Sequence, residues 1–256
     1  MKAGKHTLLK KFSTFALAVS LSVGILAAST QPTEAATNYQ VAKVTYSKDY
    51  KLEDGTTYFT VKGKFPQIKE DSEVAKKINQ ALTKEKNRII RQWKTDSVDY
   101  KKDAEEFQEQ ETTGIKYGDE ITYKVYSNDK NYFSVMLSGY VFLGGAHGMP
   151  YRSCLTFDAQ TGEKLTAAKA FGISKKQLNQ KVKKLYLNKY DKKGEEAGFF
   201  PGMGAKDGRK QLENNLKNMD FNNNFYVKNG KAVFYAEPYA VGPYAAGFIS
   251  VSATIQ

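Results

Sequence analysis

Apolar and polar residues alternate over 39–46 (YQVAKVTY) and again over 56–65 (TTYFTVKGKF), where Phe59, Val61 and Phe65 share one face. Both segments are predicted to be strands. Asp54-Gly55 supplies the turn between them, and Pro66 is expected to end the second. The period then lengthens. From about Ser72 to Trp93, the residues Val74, Ile78, Leu82, Ile89 and Trp93 form one stripe, with lysines and arginines opposite. That spacing predicts a long helix. Residues 95–118 are polar and irregular, with an acidic run at Asp103, Glu105, Glu106, Glu109 and Glu111. Alternation resumes in 120–127 and 131–143, around a turn at Asn128-Asp129. Ile121, Tyr123 and Val125 face one way in the first of these strands, and Phe133, Val135, Leu137 and Val141 in the second.

Gly144-Gly145-Ala146-His147-Gly148 interrupts the pattern and is the candidate domain boundary. Beyond it, 151–158 reads as a strand and Gln160-Thr161-Gly162 as a turn. A basic helix follows at 174–190, with Leu178, Val182 and Leu185 facing inward. A glycine-rich loop at 194–204 leads to a short helix near 208–218. Strands at 223–228 and 231–236 meet at Asn229-Gly230, a strong hairpin signal, and a last strand spans 248–255. There is no simple repeat. Strands and helices come in blocks, so the expected class is α+β, with antiparallel sheets and a long helix in each half.

The first residues have a different character. Lys2, Lys5, Lys10 and Lys11 precede an uncharged stretch at 15–28, and Gln31-Pro32-Thr33-Glu34-Ala35-Ala36 then offers small residues for a peptidase. That order is the signature of a cleaved secretory signal, with the cut after Ala35 or Ala36. The apolar stretch is shorter than the roughly 20 residues a membrane span prefers. The expectation is therefore a secreted, extracellular or wall-associated protein with no transmembrane anchor after processing. Only a short basic segment precedes the apolar stretch, which argues against a membrane-spanning relay. The expected organisation is a signal peptide over 1–36 and α+β domains over 37–143 and 144–256.

Four lysines and one glutamate lie in the signal, so of 39 basic and 27 acidic residues the mature chain keeps 35 and 26, a net charge of +9. Outside a cell such a balance points to anionic wall polymers or lipid headgroups. No arginine-rich cluster or nucleic-acid motif is present, so no nucleic-acid partner is expected. Cys154 is the single cysteine, which rules out an intramolecular disulfide. Stability must come from a core, and much of its apolar area comes from the chain's 17 tyrosines and 15 phenylalanines, all but Phe12 and Phe15 of which lie beyond the signal.

Candidate chemistry is sparse. The mature chain has one histidine, His147, and one cysteine, with no nucleophile motif around Cys154. Zinc needs several His, Cys or carboxylate ligands at motif spacing, and no run resembles a calcium loop. Gly144-Gly145 lacks the lysine and following helix of a phosphate loop. No catalysis, metal or cofactor is expected. Two loops remain. Residues 144–151 (GGAHGMPY) combine glycines with His147 and Tyr151, and residues 237–247 (EPYAVGPYAAG) carry two Pro-Tyr pairs. Tyrosine on a stiff loop gives contact area and a hydroxyl at low entropic cost.

These residues also carry a resemblance. Gly144 to His147, Thr156-Phe157-Asp158 with Thr161-Gly162, Phe234-Tyr235, Pro238-Tyr239 and Pro243-Tyr244-Ala245-Ala246-Gly247 resemble a bacterial extracytoplasmic domain-of-unknown-function family. It is the family found in the extracellular part of the lysozyme-sensing anti-sigma factor RsiV. Upstream, Phe65-Pro66-Gln67-Ile68 and the helix with Ile78-Asn79 resemble a companion domain that precedes the catalytic domain of a peptidoglycan deacetylase. The resemblance implies a non-catalytic α+β module that binds a lysozyme-like protein through its loops. Pro243 and Tyr244 become the candidate binding loop with Tyr239 beside them, and Gly145, His147 and Tyr151 the neighbouring surface. The alternative partner is a cell-wall polymer, held by the lysines of the second helix.

Overall fold

In the computed structural model, which describes residues 38–109, 116–201 and 205–255, the expected signal lies outside the described residues. Strands β1 (Val41–Lys51) and β2 (Thr57–Ile68) form the first predicted hairpin. Gly55 adopts φ +89° at its turn, and the Asp54 carboxylate accepts a hydrogen bond from the Thr56 N–H at 2.8 Å. Pro66 does not end β2. It pairs with Lys43 on one side, while the next strand reaches only Gly63 on the other. The proline thus sits where β2 has a free edge, the position a strand tolerates.

Helix α1 (Glu73–Glu109) also outruns its prediction. Ser97, Tyr100 and Ala104 continue the stripe of Trp93 at helical spacing, and the Tyr100 ring meets Phe59 edge-on at 5.0 Å. Asn79 fastens the helix to the strand before it: its side chain accepts from the Ile68 N–H at 2.9 Å and donates to the Ile68 carbonyl at 2.8 Å. The helix returns the chain to β3 (Tyr117–Asn128), which lies parallel to β2. Then β4 (Tyr132–Phe142), β5 (Met149–Asp158) and the short β6 (Lys164–Leu165) add on in antiparallel fashion. The sheet runs in the order β1-β2-β3-β4-β5-β6. It is antiparallel except at β2–β3, where a helix rather than a turn makes the connection.

The second half supplies α2 (Ala167–Ala170), α3 (Lys175–Lys193) and α4 (Ala205–Asn215). Ser174 and Gln177 form a reciprocal capping box at the start of α3. Strands β7 (Phe225–Lys228), β8 (Lys231–Ala236) and β9 (Ile249–Thr254) make an antiparallel second sheet. Asn229 and Gly230 both take positive φ, as the two-residue turn between β7 and β8 requires.

Three groups of buried residues hold the layers together. Ile78 and Trp93 of α1 pack on Phe65, Phe133, Val135 and Leu137 of the first sheet. Leu178, Val182 and Tyr186 of α3 pack on Phe225, Phe234 and Ile249 of the second sheet. Met136, Cys154 and Tyr235 fill the seam between the sheets. A polar stitch crosses that seam. The buried Ser134 hydroxyl accepts from the Val227 N–H at 2.9 Å and lies 2.8 Å from the Thr156 hydroxyl. Among the described residues no helix is long and apolar enough to cross a membrane.

One ionisable group is built into the first core. The Trp93 indole N–H donates to Asp119 Oδ2 at 2.6 Å, and the Tyr151 hydroxyl donates to Oδ1 at 2.8 Å. Burial pushes the Asp119 carboxyl up from 3.8 to about 6, against the pull of those two donors. The folded chain therefore favours the protonated form. This group's contribution to stability is full below pH 3.8 and is lost as pH rises through about 6. The loss should reach about 3 kcal/mol. Urea unfolding of wild type and Asp119→Asn between about pH 4.5 and 7.5 checks it. The gap between the two proteins should change across that window, and a constant gap would remove the assignment.

Candidate functional site

The first loop leaves β4 and enters β5; the second joins β8 to β9. Because the second sheet packs across the outer face of β4 and β5, the two loops emerge side by side. Gly148 lies where they meet. Its N–H donates to the Tyr140 hydroxyl at 2.9 Å, and its carbonyl accepts from the Tyr244 hydroxyl at 2.8 Å. His147 Nδ1 is 3.0 Å from the same carbonyl. The His147 ring stacks on Tyr244, with centroids 3.8 Å apart and planes 20° apart. Tyr239 adds a further ring, 5.9 Å from Tyr244, with its hydroxyl 3.5 Å from His147 Nε2. Partial burial and the neighbouring Tyr140 hydroxyl push the Tyr244 phenol up from its usual value, so it stays a hydrogen-bond donor at neutral pH.

Backbone geometry fixes these rings. A Cβ on Gly148 would fall 2.5 Å from the Val141 carbonyl oxygen and 2.7 Å from the Tyr140 ring, so the close approach demands glycine. Tyr239 takes φ +67°, a left-handed conformation that costs about 1 kcal/mol or more for a residue with a side chain. Pro243 precedes a single turn of 3₁₀ helix at Tyr244–Ala246. The second loop is anchored from below: Phe200 donates to the Val241 carbonyl at 3.1 Å, and Gly242 lies against Gly198. Tyr140, Leu143, Met149 and Tyr239 are four of the five most exposed large apolar side chains among the described residues, and all lie in or beside these loops. Exposed aromatic and apolar groups on a fixed backbone are what a binding surface needs.

Of the residues expected here, His147, Tyr239 and Tyr244 are in mutual contact, and Gly145 (φ +82°) and Pro243 sit exposed in the same two loops. Tyr151 is elsewhere. It lies within β5 opposite Gly139, on the face turned toward α1, and its hydroxyl is spent on Asp119. Gly139 makes room for it, since a Cβ there would sit 2.1 Å from the ring. Tyr140 takes the place expected of Tyr151. Its signal was a tyrosine on the polar phase of a strand, four positions before the glycine loop opens at Gly144.

Two further features border the cluster. A cavity of about 230 Å³ on the outer sheet face is lined by Thr60, Lys62, Gly118, Glu120, Tyr140 and Phe142. The acidic end of α1 comes to the same end of the sheet. Asp103 lies against Tyr117, whose neighbour Gly118 pairs with Phe142 at the end of β4. Asp103, Glu105 and Glu106 are exposed there, while Glu111 lies outside the described residues.

The surroundings offer little for covalent chemistry. Cys154 is buried between the sheets against the Tyr235 hydroxyl, and burial pushes its thiol up to about 12, far from a reactive thiolate. Among the described residues no three His, Cys, Asp or Glu side chains converge as metal ligands would.

Comparison with known proteins agrees with this architecture. Residues 52–150 match the family model described as Deacetylase PdaC, and residues 165–254 match Protein of unknown function (DUF3298). A crystal structure of a DUF3298 family member from Bacteroides fragilis superposes with a TM-score of 0.58 at 16% identity, covering 85% of this chain and 91% of that one. A DUF3298 family protein from Pseudomonas aeruginosa PAO1 gives 0.54 at 14%, covering 85% and 90%. At such identities the likeness is one of fold. No curated protein matches the chain.

The Gly148 contacts lead to a structural prediction. Gly148→Ala should push the loop off Tyr140 and Tyr244 at a cost of about 1–3 kcal/mol. Denaturant unfolding should show a lower midpoint with unchanged slope, and near-ultraviolet circular dichroism should report the released rings. A variant as stable as wild type would mean that the clasp carries no load.

Proposed function

From a chain that pairs a PdaC-type segment with a DUF3298 segment, we propose a secreted, non-catalytic binding module that acts at the cell envelope and captures a lysozyme-like muramidase. The observation that supports it best is the fixed aromatic cluster of Tyr140, His147, Tyr239 and Tyr244, presented by two loops at one end of the sheet. Rings held by their own hydrogen bonds lose little freedom on binding, so their contact area converts efficiently into affinity. The cluster suits a projecting anchor that enters a cleft, as the resemblance to the lysozyme-sensing family implies.

Charge bears on the choice of partner. Animal lysozymes are basic, and a mature chain of +9 repels them at long range. Beyond about 8 Å at physiological salt that repulsion is screened, so the local surface decides. The acidic end of α1 stands at the same end of the sheet as the loops and gives a basic partner a favourable rim.

Titration of the purified protein with an animal lysozyme should give saturable binding and reduced muramidase activity. Tyr244→Ala and Tyr239→Ala should each weaken binding at least about tenfold, as loss of a central aromatic anchor does. Tyr151→Phe, on the opposite face, should bind as wild type does. No binding at low salt, or binding indifferent to both loop tyrosines, would defeat the reading.

A further inference from the structure

Arg152 carries a charge that the fold holds in place and gives no acceptor. It stands on the outer face of β5 opposite Ser138, one rung from the Tyr140–Pro150 pair. On its other side Cys154 is already covered by Tyr235 of the second sheet. The residue therefore marks the line where the covered part of that face ends and the open part begins. Its guanidinium carbon is 3.6 Å from the centre of the Phe248 ring and 5.5 Å from that of Tyr235. Tyr235 precedes the second loop and Phe248 directly follows it, so Arg152 lies at the foot of the loop that carries Tyr239 and Tyr244.

At 3.6 Å the guanidinium lies flat on Phe248, because an edge-on approach would drive its nitrogens into the ring. Flat stacking fixes the plane of the group and turns its N–H donors sideways. Those donors meet no acceptor: the Arg152 side chain has no hydrogen bond or ion pair among the described residues. They are open to solvent all the same, since the only shielded and unpartnered side-chain polar atoms among the described residues belong to Glu70 and Asn179. Arg209, also partly buried, makes the contrast, for its guanidinium is held by Asp191 and Glu213. An arginine keeps its charge at any physiological pH, and a partly desolvated one gains most from a charged acceptor. Ring stacking and an open edge make Arg152 a preoriented fork for an acceptor from outside.

We propose that Arg152 is a specificity anchor for a carboxylate of the captured muramidase, with Phe248 as its positioning residue. The proposal rests on the muramidase reading and sharpens it. One carboxylate suits this fork better than a phosphate, whose second charge asks for a second cation. Lys124, on the same face, is two strands away and lies over the Tyr126 ring. The partner has the matching group. Enzymes that hydrolyse glycosidic bonds flank the scissile bond with a pair of carboxylates, so the cleft of a basic muramidase is locally acidic. Tyrosines entering such a cleft bring Arg152, one rung behind Tyr140, toward those carboxylates. Opposite charges then meet at the centre of an interface between two basic proteins.

The test measures affinity by calorimetry for an animal lysozyme, unmodified and with each catalytic carboxylate changed in turn to its amide. Arg152→Gln should weaken binding of unmodified lysozyme at least about tenfold, as loss of a close interfacial charge pair does. Arg152→Lys keeps the charge without the fork and should recover only part of that loss. One amide enzyme should bind the wild-type module weakly and show no further loss with Arg152→Gln, the non-additivity of a direct contact. Phe248→Leu should weaken unmodified lysozyme about threefold or more and leave that amide enzyme unaffected, which a general loss of structure would not do. Arg91→Gln, at an exposed position on α1, should stay within about twofold of wild type. Melting temperatures taken alongside separate lost binding from lost fold. If Tyr244→Ala loses binding while Arg152→Gln binds as wild type does, the anchor is overturned and the muramidase reading stands. Full recovery with Arg152→Lys, or equal losses from Arg152→Gln against the unmodified and both amide enzymes, would overturn the carboxylate fork. No binding by the wild-type module would defeat both.

Discussion

Strand β4 is buried on both faces, and this constraint organises the molecule. Phe133, Val135 and Leu137 look toward α1, while Ser134 and Met136 look toward the second sheet. A strand of this kind needs a cover on each side before it is worth forming. The apolar face is satisfied by α1. The other face presents a hydroxyl to the Val227 N–H, so the second sheet docks in one register rather than sliding over a greasy surface. Losing that acceptor would strand a buried donor at a cost of about 1–3 kcal/mol. With the docking fixed, the β4–β5 and β8–β9 loops have no choice but to meet.

What the loops do on meeting follows from the Gly148 peptide. One tyrosine, on β4, grips its N–H, and another, in the loop between β8 and β9, its carbonyl. Both hydroxyls are therefore engaged inside the protein, and the rings are left to face outward. A surface made this way offers shape and apolar area first and polar complementarity second.

Much of the architecture was legible in the sequence, because most of it is local. Asn229-Gly230 and Asp54-Gly55 announced their turns through the positive φ that only a few residues accept cheaply. The extension of α1 was obscured because Ser97 and Ala104 are small; they fill the stripe without raising its hydrophobicity. The parallel pairing of β2 and β3 left no local mark, since the intervening helix says nothing about the direction in which the chain re-enters the sheet. Tyr151 was misplaced by one phase of the strand. β5 begins at Met149 rather than Tyr151, and the vacancy above Gly139 draws the ring inward. The loop cluster was read from its composition, but its partner Tyr140 was missed because one tyrosine among 17 carries no signal by itself.

The six-stranded sheet has two open edges, and they are closed to strangers in different ways. At one end β6 has only two residues, too few to template another strand. At the other, β1 is long and has no neighbour on its outer side among the described residues, yet Lys43, Lys48 and Lys51 stand exposed along it. A second chain adding to that edge would have to bury or confront those charges. Part of the lysine surplus is thus a safeguard against self-association, in a protein whose single cysteine leaves it no disulfide to hold the sheet shut. The net charge that first pointed outward to a partner is also a device by which each molecule keeps its distance from its own copies.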